Sequence, residues 1–108
     1  MTESFPATAV VRVSRGNFDP SLFAEVDAVN KKVAEYLVPA IRRLPGLIHY
    51  HAGVSPEGSI VHVSVWDSDE HAAQMGQLKE MIVDMRGEMD ALGVMFIPIV
   101  NYPLNWTI

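Results

Sequence analysis

The sequence predicts a two-layer α+β fold whose strands and helices follow the order β-α-β-β-α-β. Three observations predict it. A β-branched alternating segment precedes a capped helix, a strand-turn-strand segment occupies the middle of the chain, and two long segments carry apolar residues at helical spacing. Together these elements form a ferredoxin-like sandwich, in which both helices cover the same face of one antiparallel sheet.

The first strand and the first helix are predicted from residues 8–44. Residues 8–14 alternate and are β-branched, which is typical of a strand. Asp19 is placed to cap the helix, and Pro20 suits its first position. Pro39 is expected to kink or interrupt the helix, because proline removes a helical hydrogen bond. Pro45-Gly46 ends it. The apolar stripe is Leu22, Val26, Val29, Val33, Leu37, Ala40, Ile41 and Leu44.

A β-hairpin is predicted from residues 47–54 and 60–66, joined by Pro56-Glu57-Gly58. Proline presets the first turn dihedral, and glycine tolerates the left-handed conformation that closes a bulged three-residue turn. That turn pairs Ser55 with Ser59. The resulting register places Ala52 opposite His62, Tyr50 opposite Ser64, and Ile48 opposite Trp66. A two-residue loop would shift the register by one and place His49 and His51 beside His62 instead.

The second helix is predicted over residues 68–92, with Asp67 as its N-cap and Glu70 reaching back to it. Gly93 fits the position that ends many helices. A last strand is predicted over residues 95–101, where Pro98 belongs at an edge or bulge. The apolar tail, residues 102–108, is expected to pack on another surface. The inward stripe of the second helix is Met75, Leu78, Ile82, Met85, Met89 and Leu92.

Composition excludes several classes of function. The net charge is −5, and the eight Lys and Arg residues form no patch longer than a pair, so neither nucleic acid nor an anionic membrane is an expected partner. The chain has no cysteine, which excludes disulfides and thiolate metal sites. No segment approaches the ~20 apolar residues of a membrane span. We therefore expect a single domain over residues 1–108, located in the cytoplasm.

The two faces of the third strand predict different partners. Val61, Val63 and Val65 would lie on the sheet face without helices, where they form an apolar patch as large as monomers normally expose. A second copy of the chain, packed sheet against sheet, is the expected cover. The opposite face carries Tyr50, His62, Ser64 and Trp66, joined by Arg12 and Ser14 if strand one has the matching orientation. These polar groups predict a partly hydrated pocket between sheet and helices.

The central segment resembles the antibiotic biosynthesis monooxygenase family of the dimeric α/β barrel superfamily. The matching features are Pro45-Gly46 before strand two, Tyr50 within it, the alternating IVHVSVW of strand three, and the acidic cap DSDEHA. The resemblance implies oxygenation of a small phenol or anthrone without metal or flavin. The substrate, once deprotonated, gives its own electron to O₂, while the protein supplies a base and polar partners for the anion.

The resemblance also implies roles for individual residues. Trp66 matches the family's tryptophan at the end of strand three, and Arg86 is the counterpart of its basic residue in helix two. His62 stands where the family has an asparagine. We expect His62 to act as the base and Tyr50 and Arg86 to stabilise the anion. Residues expected to bind the substrate are Trp66, Ser64, Met75 and Met85. The haem-degrading branch is disfavoured, since strand one has no asparagine and His71 lies in the first turn of helix two.

Two other functions stay open. The protein could be a non-catalytic dimer that binds a small apolar or aromatic ligand, or a structural protein with a filled core. A metal site built on His49 and His51 is not expected, because no Asp or Glu lies on either strand body.

Overall fold

The computed structural model describes residues 5–108 and has the predicted element order. The strands are β1 (Val10–Asn17), β2 (Leu47–Ser55), β3 (Ser59–Trp66), β4 (Met95–Phe96) and β5 (Val100–Pro103). The helices are α1 (Phe23–Arg42), α2 (Asp69–Ala72) and α3 (Arg86–Ala91), with 3₁₀ segments at Pro20–Leu22 and Ala73–Gln77 and a π-helix at Glu80–Met85. The sheet is antiparallel with the order β2-β3-β1-β4, and β5 also pairs with β1.

The hairpin has the predicted register over most of its length. Gly58 has a φ of +95° and its amide bonds to the Ser55 carbonyl, which closes the three-residue turn. Ser55 pairs with Ser59, and Ala52 and Tyr50 lie opposite His62 and Ser64, as predicted. The predicted pairing of Ile48 with Trp66 is wrong. Leu47 pairs with Trp66, and Ile48 is the extra residue of a β-bulge that shifts the register there.

The first helix runs through Pro39 without interruption. Asp19 caps the short 3₁₀ turn before it, since its carboxylate accepts a hydrogen bond from the Ser21 amide at 2.9 Å. Strand one begins and ends later than predicted, at Val10 and Asn17, so the expectation that it has no asparagine is wrong, although Asn17 is exposed.

The prediction of one continuous second helix is wrong. Leu78 has an extended ψ of 111°, which separates the 3₁₀ segment from the π-helix and resets the phase of the inward stripe. Met81 is therefore buried, whereas Ile82, predicted to face inward, is 42% exposed. The N-cap is Ser68, whose hydroxyl accepts from the His71 amide; Asp67, the predicted cap, bonds to the His71 ring instead.

The C-terminal part follows the prediction only partly. Gly93 has a φ of +75°. The amides of Gly93 and Val94 donate to the carbonyls of Asp90 and Met89. Gly93 therefore ends helix α3, as predicted. The last strand is divided into β4 and β5, with Pro98 in the gap. The tail pairs with β1 as far as Pro103, yet Trp106 is 77% exposed.

The core lies between the helices and one face of the sheet. That face carries buried Val10, Arg12 and Ser14 from β1 and Ile60, His62, Ser64 and Trp66 from β3. Strand one thus has the orientation that brings Arg12 and Ser14 to the face of His62 and Ser64. Val61, Val63 and Val65 lie on the other face and are partly exposed. Within residues 5–108, no helix is long and apolar enough to cross a membrane.

Candidate active site

A cavity of about 440 Å³ opens between α1 and β2, and we call it the α1/β2 cavity. Its walls are largely apolar, with Leu37, Val38 and Ile41 from the helix and Leu47 and Ile48 from the strand. The polar residues lining it are Asn30, Arg42, His49, Tyr50 and His62. An apolar cleft with a few polar groups is the usual form of a small-molecule site.

Three of these polar side chains form a connected cluster. The Asn30 Oδ1 lies 2.9 Å from His62 Nε2, and the Tyr50 hydroxyl lies 2.6 Å from His62 Nδ1. Because an amide oxygen only accepts, His62 Nε2 carries the ring proton. In a neutral imidazole Nδ1 is then the acceptor, so the Tyr50 hydroxyl donates to it. The cluster fixes both the tautomer and the orientation of the ring.

Burial determines the charge state of the cluster. His62 is 5% exposed, and its desolvation, helped by the positive charge of Arg12, lowers the pKa of the imidazole to about 4. Desolvation also raises the pKa of the Tyr50 hydroxyl, and Arg12 opposes that shift. At neutral pH both groups are therefore uncharged, and the imidazole retains a lone pair on Nδ1.

Arg12 is the buried cation beside this cluster. Arg12 on β1 pairs with Ser64 on β3, and Ser64 pairs on its other side with Tyr50 on β2. Arg12 is 6% exposed. Burial lowers the pKa of its guanidinium; interaction with Tyr50 opposes that shift, and repulsion from Arg86 adds to it. Arg12 places a positive charge where an anion formed near Tyr50 would be stabilised.

The structure separates the predicted site residues into two groups. Tyr50 and His62 line the cavity together. Trp66, Met75 and Met85 are buried in the core, and the Trp66 indole donates to the Ser64 hydroxyl at 2.8 Å. The Arg86 guanidinium lies over the Phe96 ring, 4.7 Å from its centroid. None of these five residues lines the α1/β2 cavity, and their roles toward a substrate stay predictions.

Asn30 is the member of the cluster that was not predicted from the sequence. A signal was present, since Val26, Asn30, Val33 and Leu37 follow one another at spacings of four, three and four. An asparagine within a stripe of buried residues is an unusual choice that points to a polar partner. Its partner, His62, lies 32 residues away and could only be identified from the fold.

The histidines of β2 do not join the cluster. His49 and His51 stack at a centroid distance of 6.1 Å, and both are exposed. The observed register excludes the alternative that would have placed them beside His62. Within the part of the chain that the structure describes, no group of three His, Asp or Glu side chains is arranged to hold a metal ion.

Comparisons with known proteins bear on the fold. No model of a known protein family matches the sequence, and no curated protein matches it either. Solved structures do match. SnoaB, a cofactor-independent oxygenase from Streptomyces nogalater, has a TM-score of 0.64 at 18% identity, with 94% of this chain and 97% of SnoaB covered.

Two further solved structures also match this chain in fold. The ActVA-Orf6 monooxygenase of Streptomyces coelicolor, in complex with nanaomycin D, has a TM-score of 0.65 at 19% identity, covering 94% of this chain and 92% of that one. A dimeric ferredoxin-like protein from an uncultured marine organism has a TM-score of 0.65 at 17% identity, with the same coverage. The chain has a ferredoxin-like fold, which it shares with these structures. At these identities the likeness establishes the fold alone.

The buried imidazole predicts a pH dependence of stability. The unfolded chain binds a proton at His62 near pH 6.5, whereas the folded chain does so only near pH 4. Between these values the unfolded state holds more protons, so acidification lowers the free energy of unfolding, by roughly 3 kcal/mol in all. Urea unfolding between pH 4 and 7 measures this. His62→Gln should lose that part of the slope, and the exposed His51→Gln should keep it; parallel profiles for wild type and His62→Gln would contradict the assignment.

Proposed function

We propose that the protein is a cofactor-independent monooxygenase acting on a small aromatic substrate of the phenol or anthrone type. The observation that supports it best is the Tyr50–His62–Asn30 cluster in the wall of an apolar cavity of about 440 Å³. The apolar walls fit flat rings, and the cluster presents the Tyr50 hydroxyl, hydrogen-bonded to the His62 imidazole behind it, to a substrate oxygen.

The cluster supports transfer of the substrate proton through Tyr50. The Nδ1 lone pair of His62 already accepts the Tyr50 hydroxyl. A substrate hydroxyl or activated C–H therefore gives its proton to the Tyr50 oxygen while the Tyr50 proton passes to Nδ1. The resulting imidazolium keeps both N–H groups bonded, one to Tyr50 and one to Asn30, and the buried Arg12 charge stabilises the substrate anion.

Oxygenation follows from the chemistry of that anion. It gives one electron to O₂, and the substrate radical and superoxide combine to form a C–O bond. The peroxide takes a proton back and loses water, so a CH₂ group and O₂ give C=O and H₂O. The electrons come from the substrate, and the proposed reaction uses neither metal nor flavin. SnoaB is a cofactor-independent oxygenase and ActVA-Orf6 is a monooxygenase, and their likeness in fold supports this proposal.

A second candidate is a non-catalytic protein that binds an aromatic ligand. The pKa of His62, lowered to about 4 by burial, makes the imidazole a weak proton acceptor, and this observation favours binding without reaction. A bound anion beside Arg12 would oppose that shift, because opposite charge favours the imidazolium. Turnover distinguishes the two candidates.

Oxygen consumption with 1,8-dihydroxyanthrone and anthrone, which both carry the ring CH₂ group that the proposed reaction oxidises, tests the catalytic proposal. Wild type should exceed the rate of autoxidation, and His62→Gln and Tyr50→Phe should each lower kcat about 10²-fold, since each removes a step of proton transfer. His71→Gln, in the short helix α2 and outside the α1/β2 cavity, is the matched control and should keep full activity. Binding of these compounds with no rate above autoxidation would support the non-catalytic candidate instead.

We further propose that the chain forms a homodimer through the sheet face that carries Val61, Val63 and Val65. Those valines are partly exposed in the monomer, and the neighbouring β5 adds Val100 and Tyr102, which are 44% and 52% exposed. Tyr102 on β5 pairs with Val11 on β1, and β1 lies between β5 and β3, so the apolar surface is continuous. The dimeric ferredoxin-like structure with the same fold supports this arrangement.

Size-exclusion chromatography with light scattering tests the dimer. Wild type should give twice the chain mass of 12.0 kDa, and Val63→Asp should give the monomer mass, because a carboxylate would be buried without a partner. Val83→Asp is the control, since Val83 is 56% exposed in the helical layer. A wild-type mass of one chain, or a dimeric Val63→Asp, would contradict the proposed interface.

A further inference from the structure

The α1/β2 cavity contains a cation that the proposed reaction does not use. Arg42, the last residue of α1, lines the cavity and is exposed. Among the described residues that line the cavity, it is the only lysine or arginine. A guanidinium beside an apolar cleft is well suited to bind a carboxylate, since its planar donors match both oxygens.

Arg42 and the Tyr50–His62–Asn30 cluster lie at different ends of the cavity. Asn30 and Arg42 are both on α1, and a rise of 1.5 Å per residue separates their backbones by about 18 Å along the helix axis. Ala34, Leu37, Val38 and Ile41 form the apolar helix wall between them. A ligand that contacts both ends is elongated, with a polar group at each end and flat apolar rings in the middle.

Other basic residues of the same segment already have acidic partners. Arg43 lies 3.9 Å from Glu80, and Lys31 lies 2.9 Å from Asp27. Across residues 5–108, the carboxylates found within 4.0 Å of a basic group are paired with Lys31, Lys32, Arg43, His71 or Lys79, and none with Arg42. No carboxylate of residues 5–108 therefore competes with a ligand for the Arg42 guanidinium.

We propose that the substrate class is an aromatic acid: a fused-ring phenol or anthrone whose carboxylate, remote from the ring that is oxidised, is bound by Arg42. The position of the oxidised ring rests on the function proposed above, whereas the contact of Arg42 with the carboxylate concerns binding alone. Arg42 selects the substrate and orients it, so that the opposite end of the ring system meets Tyr50 and His62. Because Arg42 is exposed, salt weakens the interaction.

Two probes of the same shape test this inference. Anthraquinone-2-carboxylate and anthraquinone-2-carboxamide differ in charge but hardly in size, and isothermal titration calorimetry gives the dissociation constant of each. Wild type should bind the carboxylate about tenfold more tightly at low salt, and the difference should shrink in 0.5 M NaCl, a concentration at which the Debye length is about 4 Å. Arg42→Gln should remove the preference. Arg43→Gln, which changes the neighbouring arginine that pairs with Glu80, should keep it.

The possible results separate this inference from the proposed function. Equal binding of the two probes by wild type, or a preference that survives in Arg42→Gln, overturns the role of Arg42 and leaves the oxygenase proposal untouched. Failure of both probes to bind overturns the inference together with the aromatic site itself. Loss of preference in Arg42→Gln supports the inference even if oxygen uptake shows no turnover, in which case the oxygenase proposal alone fails.

Discussion

The register of the β2–β3 hairpin is the constraint on which the remaining structure depends. It is set by Gly58, whose positive φ closes a three-residue turn and pairs Ser55 with Ser59. Because side chains alternate along a strand, a slip of one residue would turn Val61 and Val63 toward the helices and move His62 to the open face. The core, the cavity and the proposed dimer surface all require the observed register.

That register buries polar side chains on the helix-facing side of the sheet, where aliphatic residues would stabilise the fold more. His62 and Ser64 occupy positions where a purely structural sheet would carry aliphatic residues. Each is satisfied by a specific partner: Tyr50 and Asn30 bond to His62, and Trp66 bonds to Ser64. No described buried side-chain nitrogen or oxygen is left without a hydrogen bond. The polar groups are thus held rigidly, as a site that must orient a substrate requires.

Much of the fold was predictable because local chemistry determines it. The turn at Pro56-Glu57-Gly58 and the helix end at Gly93 demand particular backbone conformations, and alternation then assigns the faces. What could not be predicted depends on tertiary packing. The break at Leu78 interrupts an acceptable helical pattern, and the link between Asn30 and His62 joins distant segments. The cavity position was missed similarly: Trp66 is fully buried in the core, and the opening lies beside α1 instead.

The proposed function requires that His62 be a neutral, oriented ring that faces a ligand, and the nitrogen resonances of that ring test this requirement most directly. Long-range ¹H–¹⁵N spectra at pH 7, assigned with His62→Gln, should show a neutral Nε2–H tautomer whose Nδ1 signal shifts when 1-naphthol binds. A protonated ring, the Nδ1–H tautomer, or a His62 signal unmoved by 1-naphthol at saturation would contradict it.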